Sequence, residues 1–239
     1  MIDKLTENRF RILSGSMLKL LAIISMTIDH SAVILYPVID AMRVPISIGG
    51  RAITLYWVMR KLGRLAFPIF CFLISEGYAH TGNKVRYGLR LLIFALVSEL
   101  PFNLLHGNRW LDASGQNVFF TLFWGLILIH AYEAEVHQLL KFLAMAAVCT
   151  IAVVLKADYG LYGALLVLVI HLFRNAPCVQ PLLAYPLLSG EIAACAAFVP
   201  IHLYNGKRGF IQTPFLKFAF YAFYPVHILV LSGIRYLLK

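Results

Sequence analysis

Long apolar runs separated by short polar and basic stretches set the pattern of this 239-residue chain. A helix needs about 20 mostly apolar residues to cross a bilayer, and that length predicts about eight spans, within bounds of seven to ten. They run from Ser16 to Ile39, Arg64 to Ala79, Val85 to Leu105, Val118 to Tyr132, Leu139 to Leu155, Tyr159 to Phe173, Leu182 to Leu203 and Pro214 to Leu238. Between the first two lies a basic, glycine-containing stretch, Asp40 to Lys61, whose Ile53, Leu55, Trp57, Val58 and Met59 predict a short interfacial helix. The pattern shows no internal repeat, low-complexity segment or soluble domain. The expected fold is one all-α polytopic membrane domain over residues 1–239, a bundle around a central polar cavity.

Composition agrees. The chain is 61% hydrophobic and only 13% charged, against roughly 45–50% and 25% for a soluble domain. The formal net charge of +10 would suggest nucleic acid in a soluble protein. Without a basic stripe carrying interleaved aromatics, it reads instead as cations at span ends, meeting anionic lipid or an anionic cofactor. The four cysteines, Cys71, Cys149, Cys178 and Cys195, have no paired spacing, so neither a disulfide framework nor a metal site is indicated. Met1 to Ser16 leads into a full-length span, which predicts no cleaved signal peptide. With the N-terminus cytoplasmic, Lys4, Arg9, Lys84 and Arg86 fall inside, but Arg43, Arg51, Arg60, Lys61 and Arg109 fall outside. Charge therefore orients the chain only weakly.

Several polar side chains sit where lipid is expected. The first span carries Lys19 and ends its polar face on Asp29-His30, although a charge at the bilayer centre costs at least about 2.5–3.5 kcal/mol. Lys19 and His30 are eleven residues apart, about three helical turns, so they share one face roughly 16 Å apart along the axis. A cation near the surface and a titratable imidazole deep inside suit an elongated anion whose reactive end reaches mid-membrane; a snorkelling lysine and a structural histidine would look the same. Glu76, Glu99 and Glu191 also lie in apolar runs, and Pro101 interrupts the backbone ladder beside Glu99 and Asn103. Asn117 and Thr121 stand one turn apart, and Asp158 opens the sixth span, where it can be an N-cap. His130, Glu133 and His137 share a helix face at metal-ligand spacing, but at a polar span end, where solvated side chains are the simpler reading; His171 and His202 are expected to be interfacial. His227 either lines the cavity or bonds a neighbouring carbonyl, and Phe215 to Tyr224 reads as packing surface.

In order along the chain stand Leu18-Lys, Ile28-Asp-His30, Gly63-Arg-Leu-Ala-Phe-Pro-Ile-Phe70, Ser75-Glu-Gly-Tyr-Ala-His80, Ser98-Glu-Leu-Pro-Phe-Asn103, Asn117-Val-Phe-Phe-Thr121, Asp158-Tyr-Gly-Leu-Tyr-Gly163, Tyr204-Asn-Gly-Lys-Arg-Gly209 and Phe223-Tyr-Pro-Val-His227. This series resembles the TraX family, whose named member acetylates the N-terminus of conjugative pilin. More distantly, Lys19 with His30, Gly63-Arg64 and Tyr224-Pro225-Val226-His227 are similar to features of the integral-membrane acyltransferases that modify surface polysaccharides and heparan sulfate.

The resemblance implies a bacterial inner-membrane acetyltransferase with acetyl-CoA as donor, the one cofactor expected. Lys19, Lys84, Arg86 and Arg90 would hold the CoA phosphates, with Arg64 a further cofactor-binding residue, although Lys84, Arg86 and Arg90 would also serve as a positive-inside anchor. His30 would be the general base or acetyl acceptor. Asp29 lies about 100° around the helix from His30 and is expected to pair with Arg64 or with a polar group of another span. Asn117, Thr121 or Tyr224 would supply an oxyanion donor. Glu76 and Glu99 would hold Arg64 or a substrate amine, or simply fix helix positions. Expected partners are acyl-CoA, an acceptor peptide, glycan or lipid, and membrane lipids, with no nucleic acid; a single chain and a homodimer both remain open. The rival reading is a secondary transporter or ion channel with Asp29, Glu76 and Glu99 as its path, against which stands the absence of related halves.

Overall fold

The computed structural model describes residues 11–107 and 115–238; Lys4, Arg9 and Arg109, which entered the charge comparison, lie outside them. The described elements are helix α1 (Gly15–Leu35), a 3-10 turn (Asp40–Met42), strands β1 (Pro45–Ile48) and β2 (Arg51–Thr54), and helices α2 (Leu55–Gly63), α3 (Ala66–His80), α4 (Lys84–Gly107), α5 (Val118–Glu133), α6 (Gln138–Val154), α7 (Gly160–Leu172), α8 (Val179–Leu187), α9 (Ile192–Cys195), α10 (Phe198–His202) and α11 (Pro214–Leu237).

Among the described residues, three helices are long and apolar enough to cross a membrane: α1, Lys84–Leu104 of α4, and α11. The helices at the other expected spans are shorter. The seventh expected span, Leu182 to Leu203, is not one helix. Pro186 lies in the last turn of α8, and Ser189 and Gly190 then take positive φ of 55° and 72°. A proline followed by left-handed residues is a helix stop, and α9 and α10 follow as separate short turns.

The stretch after α1 also departs from an all-helical reading. Pro45–Ile48 pairs antiparallel with Arg51–Thr54, Ile48 facing Arg51 across Gly49 and Gly50. Both glycines have positive φ, 57° and 78°, as a two-residue type I′ turn demands and a side chain would resist. The expected short helix does follow, as α2, capped by the Thr54 hydroxyl, which accepts from the Trp57 N–H. Leu55, Trp57, Val58 and Leu62 leave one side of it apolar and exposed.

The chain divides into two compact units. One comprises residues 1–69 and 192–239, the other Phe70–Glu191. In the first, α1 packs against α2 and α11. The segment between α10 and α11 folds across the start of α1: the N–H groups of Gly15 and Ser16, which have no helical acceptor, donate to the carbonyls of Lys207 and Arg208. The fully buried Ser16 hydroxyl donates to the Arg208 carbonyl and accepts from the Ile211 N–H. In the second unit α5 is central and packs against α4, α6 and α7, with Leu126, Leu128 and Ile129 of α5 and Leu166, Val167 and Ile170 of α7 in its core.

Candidate active site

Successive residues of α1 serve different neighbours. Ser25 and Asp29, one turn apart, face α2. The Ser25 hydroxyl donates to the carbonyls of Leu62 (2.7 Å) and Gly63 (3.1 Å), closing the C-terminal end of that helix. Asp29 Oδ2 accepts from Arg60 Nη1 at 2.5 Å, and Arg64 lies within electrostatic range of the same carboxylate. The direct partner is therefore Arg60 rather than Arg64, because the short helix presents Arg60 to Asp29 while Arg64 falls at its C-cap. Asp29 Oδ1 is buried and, among the described residues, accepts no hydrogen bond. It lies against Gly63, where the lack of a side chain allows the approach; a Cβ there would overlap the Asp29 carboxyl. Gly63→Ala is accordingly expected to destabilise the protein by about 1–3 kcal/mol, measured as a lower Tm in detergent. Arg60→Ala strands a largely buried carboxylate and should cost about 1–3 kcal/mol. Adding Asp29→Asn should recover part of that loss, and a double-mutant cycle checks the coupling.

His30 turns instead toward α11. Its Nδ1 lies 2.7 Å from His227 Nε2. The two rings are within 5° of parallel with centroids 4.9 Å apart. With the nitrogens this close, that separation fits an end-to-end hydrogen bond in the ring planes better than a face-to-face stack. His227 Nδ1 is 2.8 Å from the Phe223 carbonyl. A carbonyl can only accept, so His227 Nδ1 carries a proton. In neutral His227 the Nε2 is then the acceptor, and His30 Nδ1 must donate to it. Neutral His30 is thereby fixed as the tautomer whose Nε2 bears the lone pair. Tyr224, 5% exposed, meets both imidazoles edge-on at 5.8 Å.

One seam joins this pair to a cationic end. Lys19, Ala22, Met26 and His30 on α1 and Lys217, Phe220, Tyr224 and His227 on α11 follow the three- and four-residue spacing of a helix face. Lys19 Nζ lies 5.0 Å from the Phe220 ring centroid, so both helices run in the same direction from the cations to the histidines. The Lys19 face expected from its spacing to His30 is thus extended by Lys217 and His227.

The second unit holds other polar sets. Ser75 Oγ lies 3.2 Å from His171 Nδ1, and His171 Nε2 lies 2.9 Å from Glu133 Oε1. Glu133 Oε2 accepts from Lys84 Nζ at 3.1 Å, and that ammonium sits 4.2 Å over the Tyr78 ring, whose hydroxyl is 3.2 Å from His130 Nδ1. His171, expected to be interfacial, is 4% exposed. His137 caps α6 by accepting from the Leu139 N–H, so His130, Glu133 and His137 each take separate partners. Lys84 is held by Glu133, Arg90 lies over the Tyr87 ring and Arg86 is exposed.

Asn117 caps α5 by accepting from the Phe119 N–H, while its amide donates to the Ala95 carbonyl (2.8 Å) and to Glu99 Oε2 (2.7 Å). Both amide hydrogens are committed to the scaffold, which leaves none for an oxyanion in this arrangement. Thr121 accepts from the Tyr159 N–H, Asn103 is buried and Glu76 pairs with His80. The N-cap of α7 is Tyr159, with no side-chain capping bond, so Asp158 does not occupy that position.

A family model described as "TraX protein" matches residues 14–235, nearly all of the chain and all of the site above. The chain belongs to the TraX family. A relative in Dichelobacter nodosus, the "Probable fimbrial assembly protein FimC, serogroup H1", is 29% identical over 254 residues, covering 95% of this chain and 97% of that protein. No solved structure matches the chain. With three helices among the described residues long and apolar enough to span a bilayer, this TraX-family protein is a helical membrane protein.

Proposed function

We propose that this TraX-family protein is a membrane-embedded acetyltransferase that moves an acetyl group from acetyl-CoA to an amine, with the N-terminus of a pilus or fimbrial subunit as the acceptor class. The observation that carries the reading is the chain of hydrogen bonds from the Phe223 carbonyl through His227 to His30. It leaves His30 Nε2 with the lone pair that a general base requires, as the supporting group of a catalytic triad does for its histidine.

In the proposed step His30 Nε2 takes a proton from the acceptor amine as its nitrogen attacks the thioester carbonyl. The new C–N bond forms, the C–S bond breaks, and His30 returns the proton to the departing thiolate, giving acetyl-amide and CoA. The positive charge that forms on His30 is shared through Nδ1–H with His227. Tyr224, edge-on to both rings, is the oxyanion donor this reading retains. The seam supports an elongated anionic donor: about 16 Å, eleven residues at 1.5 Å rise, separates Lys19 from His30, and Ala22, Met26 and Tyr224 between them are buried and mostly apolar. The family assignment and the fimbrial name of the Dichelobacter relative support a pilus subunit as acceptor.

The carboxylates a transporter would use are engaged locally: Asp29 by Arg60, Glu76 by His80 and Glu99 by Asn117. Thermal denaturation with and without acetyl-CoA tests the proposal. Binding at 100 times Kd adds about 2.7 kcal/mol of stability and a measurable rise in Tm. An unchanged Tm at millimolar acetyl-CoA, with the protein folded, would contradict it.

A further inference from the structure

Among the described residues, the basic side chains at the head of the α1–α11 seam have no carboxylate among them. Arg208 is brought there by the loop that folds over the start of α1: its carbonyl accepts from the Ser16 N–H and hydroxyl, one turn before Lys19. Lys217 stands one turn before Phe220, the ring that Lys19 Nζ covers at 5.0 Å. Arg208 and Lys217 are close enough to act on the Lys19 ammonium, and both repel it. Lys19 and Lys217 are partly buried between the helices, whereas Arg208 is exposed. Among the described residues of this unit the two carboxylates are committed elsewhere, Asp29 to Arg60 and Asp40 to Arg43. Three like charges held together by backbone hydrogen bonds and helix packing, with no counter-ion among the described residues of this unit, favour an anion bound among them.

From this juxtaposition we infer that Lys19, Lys217 and Arg208 form a phosphate-ester site at the cationic end of the seam. The ligand is a phosphate ester, either the monoester and diphosphate of a nucleotide or the diester of an anionic lipid. Lysine point charges and an arginine fork together suit a group with several oxygens. The site rests on the proposed acetyl-CoA reading for one of its two sources, the nucleotide end of the donor; the other source is an anionic lipid headgroup. The proposed set keeps Lys19 from the cations expected from the sequence and adds Lys217 and Arg208 to it.

The test is calorimetric titration of the full chain in neutral detergent with CoA, with acetyl-pantetheine, which lacks the nucleotide phosphates, and with short-chain phosphatidylglycerol. The variants are Lys217→Gln, Arg208→Gln and Lys217→Arg, with Arg174→Gln as an exposed control in the other unit. Wild-type protein is expected to bind CoA with an affinity that falls steeply with salt. Each glutamine substitution should weaken binding about tenfold or more, while Lys217→Arg and the control retain it and acetyl-pantetheine binding stays the same in all. If a glutamine variant does not fold, the salt dependence of wild-type binding decides: an affinity unchanged by salt overturns the site. Equal CoA binding by wild type and both glutamine variants also overturns the site and leaves the acetyl-CoA reading standing. Phosphatidylglycerol binding that the glutamine variants lose, with no CoA bound by wild type, upholds the site with lipid as its source and removes acetyl-CoA as the donor. Neither ligand bound by folded wild-type protein overturns both.

Discussion

Replacing His30 by alanine is expected to lower acetyl transfer by about 10²–10⁴-fold, the usual contribution of a positioned general base, while acetyl-CoA binding stays within about twofold. The separation follows from the seam. His30 stands at its reactive end, and Lys19, the α1 member of the cation set that would hold the phosphates, is eleven residues away. The substitution is also one the fold should tolerate. His30 is partly exposed, and the substitution removes its hydrogen bond to His227 without placing a larger side chain between the helices. Calorimetric binding of acetyl-CoA beside thiol release with an acceptor peptide separates the two effects. Loss of binding in step with loss of turnover would make His30 a binding residue and not the base.

His227→Phe is expected to produce the second-largest effect, a fall of about 10–10³-fold in kcat with little change in KM. His227 acts through His30 and is a positioning residue. Without its Nε2 acceptor, the His30 Nδ1–H loses its partner and the ring exchanges tautomers and rotates, so that Nε2 bears the lone pair only part of the time. Phenylalanine keeps the ring volume between α1 and α11, so a stability loss should be small. The reading requires two further results. His227→Gln, whose amide oxygen can accept the same hydrogen bond, should recover activity relative to phenylalanine. The acid limb of the kcat/KM profile should also move in His227→Phe, because the imidazole pair no longer shares a proton. A merely structural role for His227 would lower Tm and leave the pH profile in place.

The parts of this site that the sequence made legible are those encoded within one helix. The eleven-residue interval from Lys19 to His30 fixes a common face on α1 through helical periodicity alone, and the 100° between Asp29 and His30 correctly separates their neighbours, α2 for one and α11 for the other. What stayed illegible depends on which helix lies opposite. Arg60 and Arg64 are one turn apart, and only the packing of α2 on α1 selects Arg60 for Asp29. His227 could be placed in an apolar helix but not across from His30, since 197 residues separate them. Arg208 and Lys217 were invisible as a cluster for the same reason. Some misses had a signal in plain view. Gly49-Gly50 between two β-prone segments marks a hairpin, and Tyr185-Pro-Leu-Leu-Ser-Gly190 marks a helix stop within the seventh apolar run. In the seventh run an apolar pattern about twenty residues long outweighs a stop signal of six, whereas at the hairpin the expected interfacial helix is present but begins only after the second strand. The buried Ser75–His171–Glu133 contacts join three separate helices, α3, α7 and α5, which no local pattern specifies.

The central claim is that acetyl leaves CoA and reaches an amine under the action of His30. It is tested most directly by incubating the purified full chain with acetyl-CoA and a peptide bearing a pilin-like free N-terminus, and by measuring CoA thiol release and peptide mass together. The account predicts one acetylated N-terminus for each thiol released, with both signals lost in His30→Ala. Folded wild-type protein that releases no thiol, or a His30→Ala variant that turns over at the wild-type rate, would contradict it.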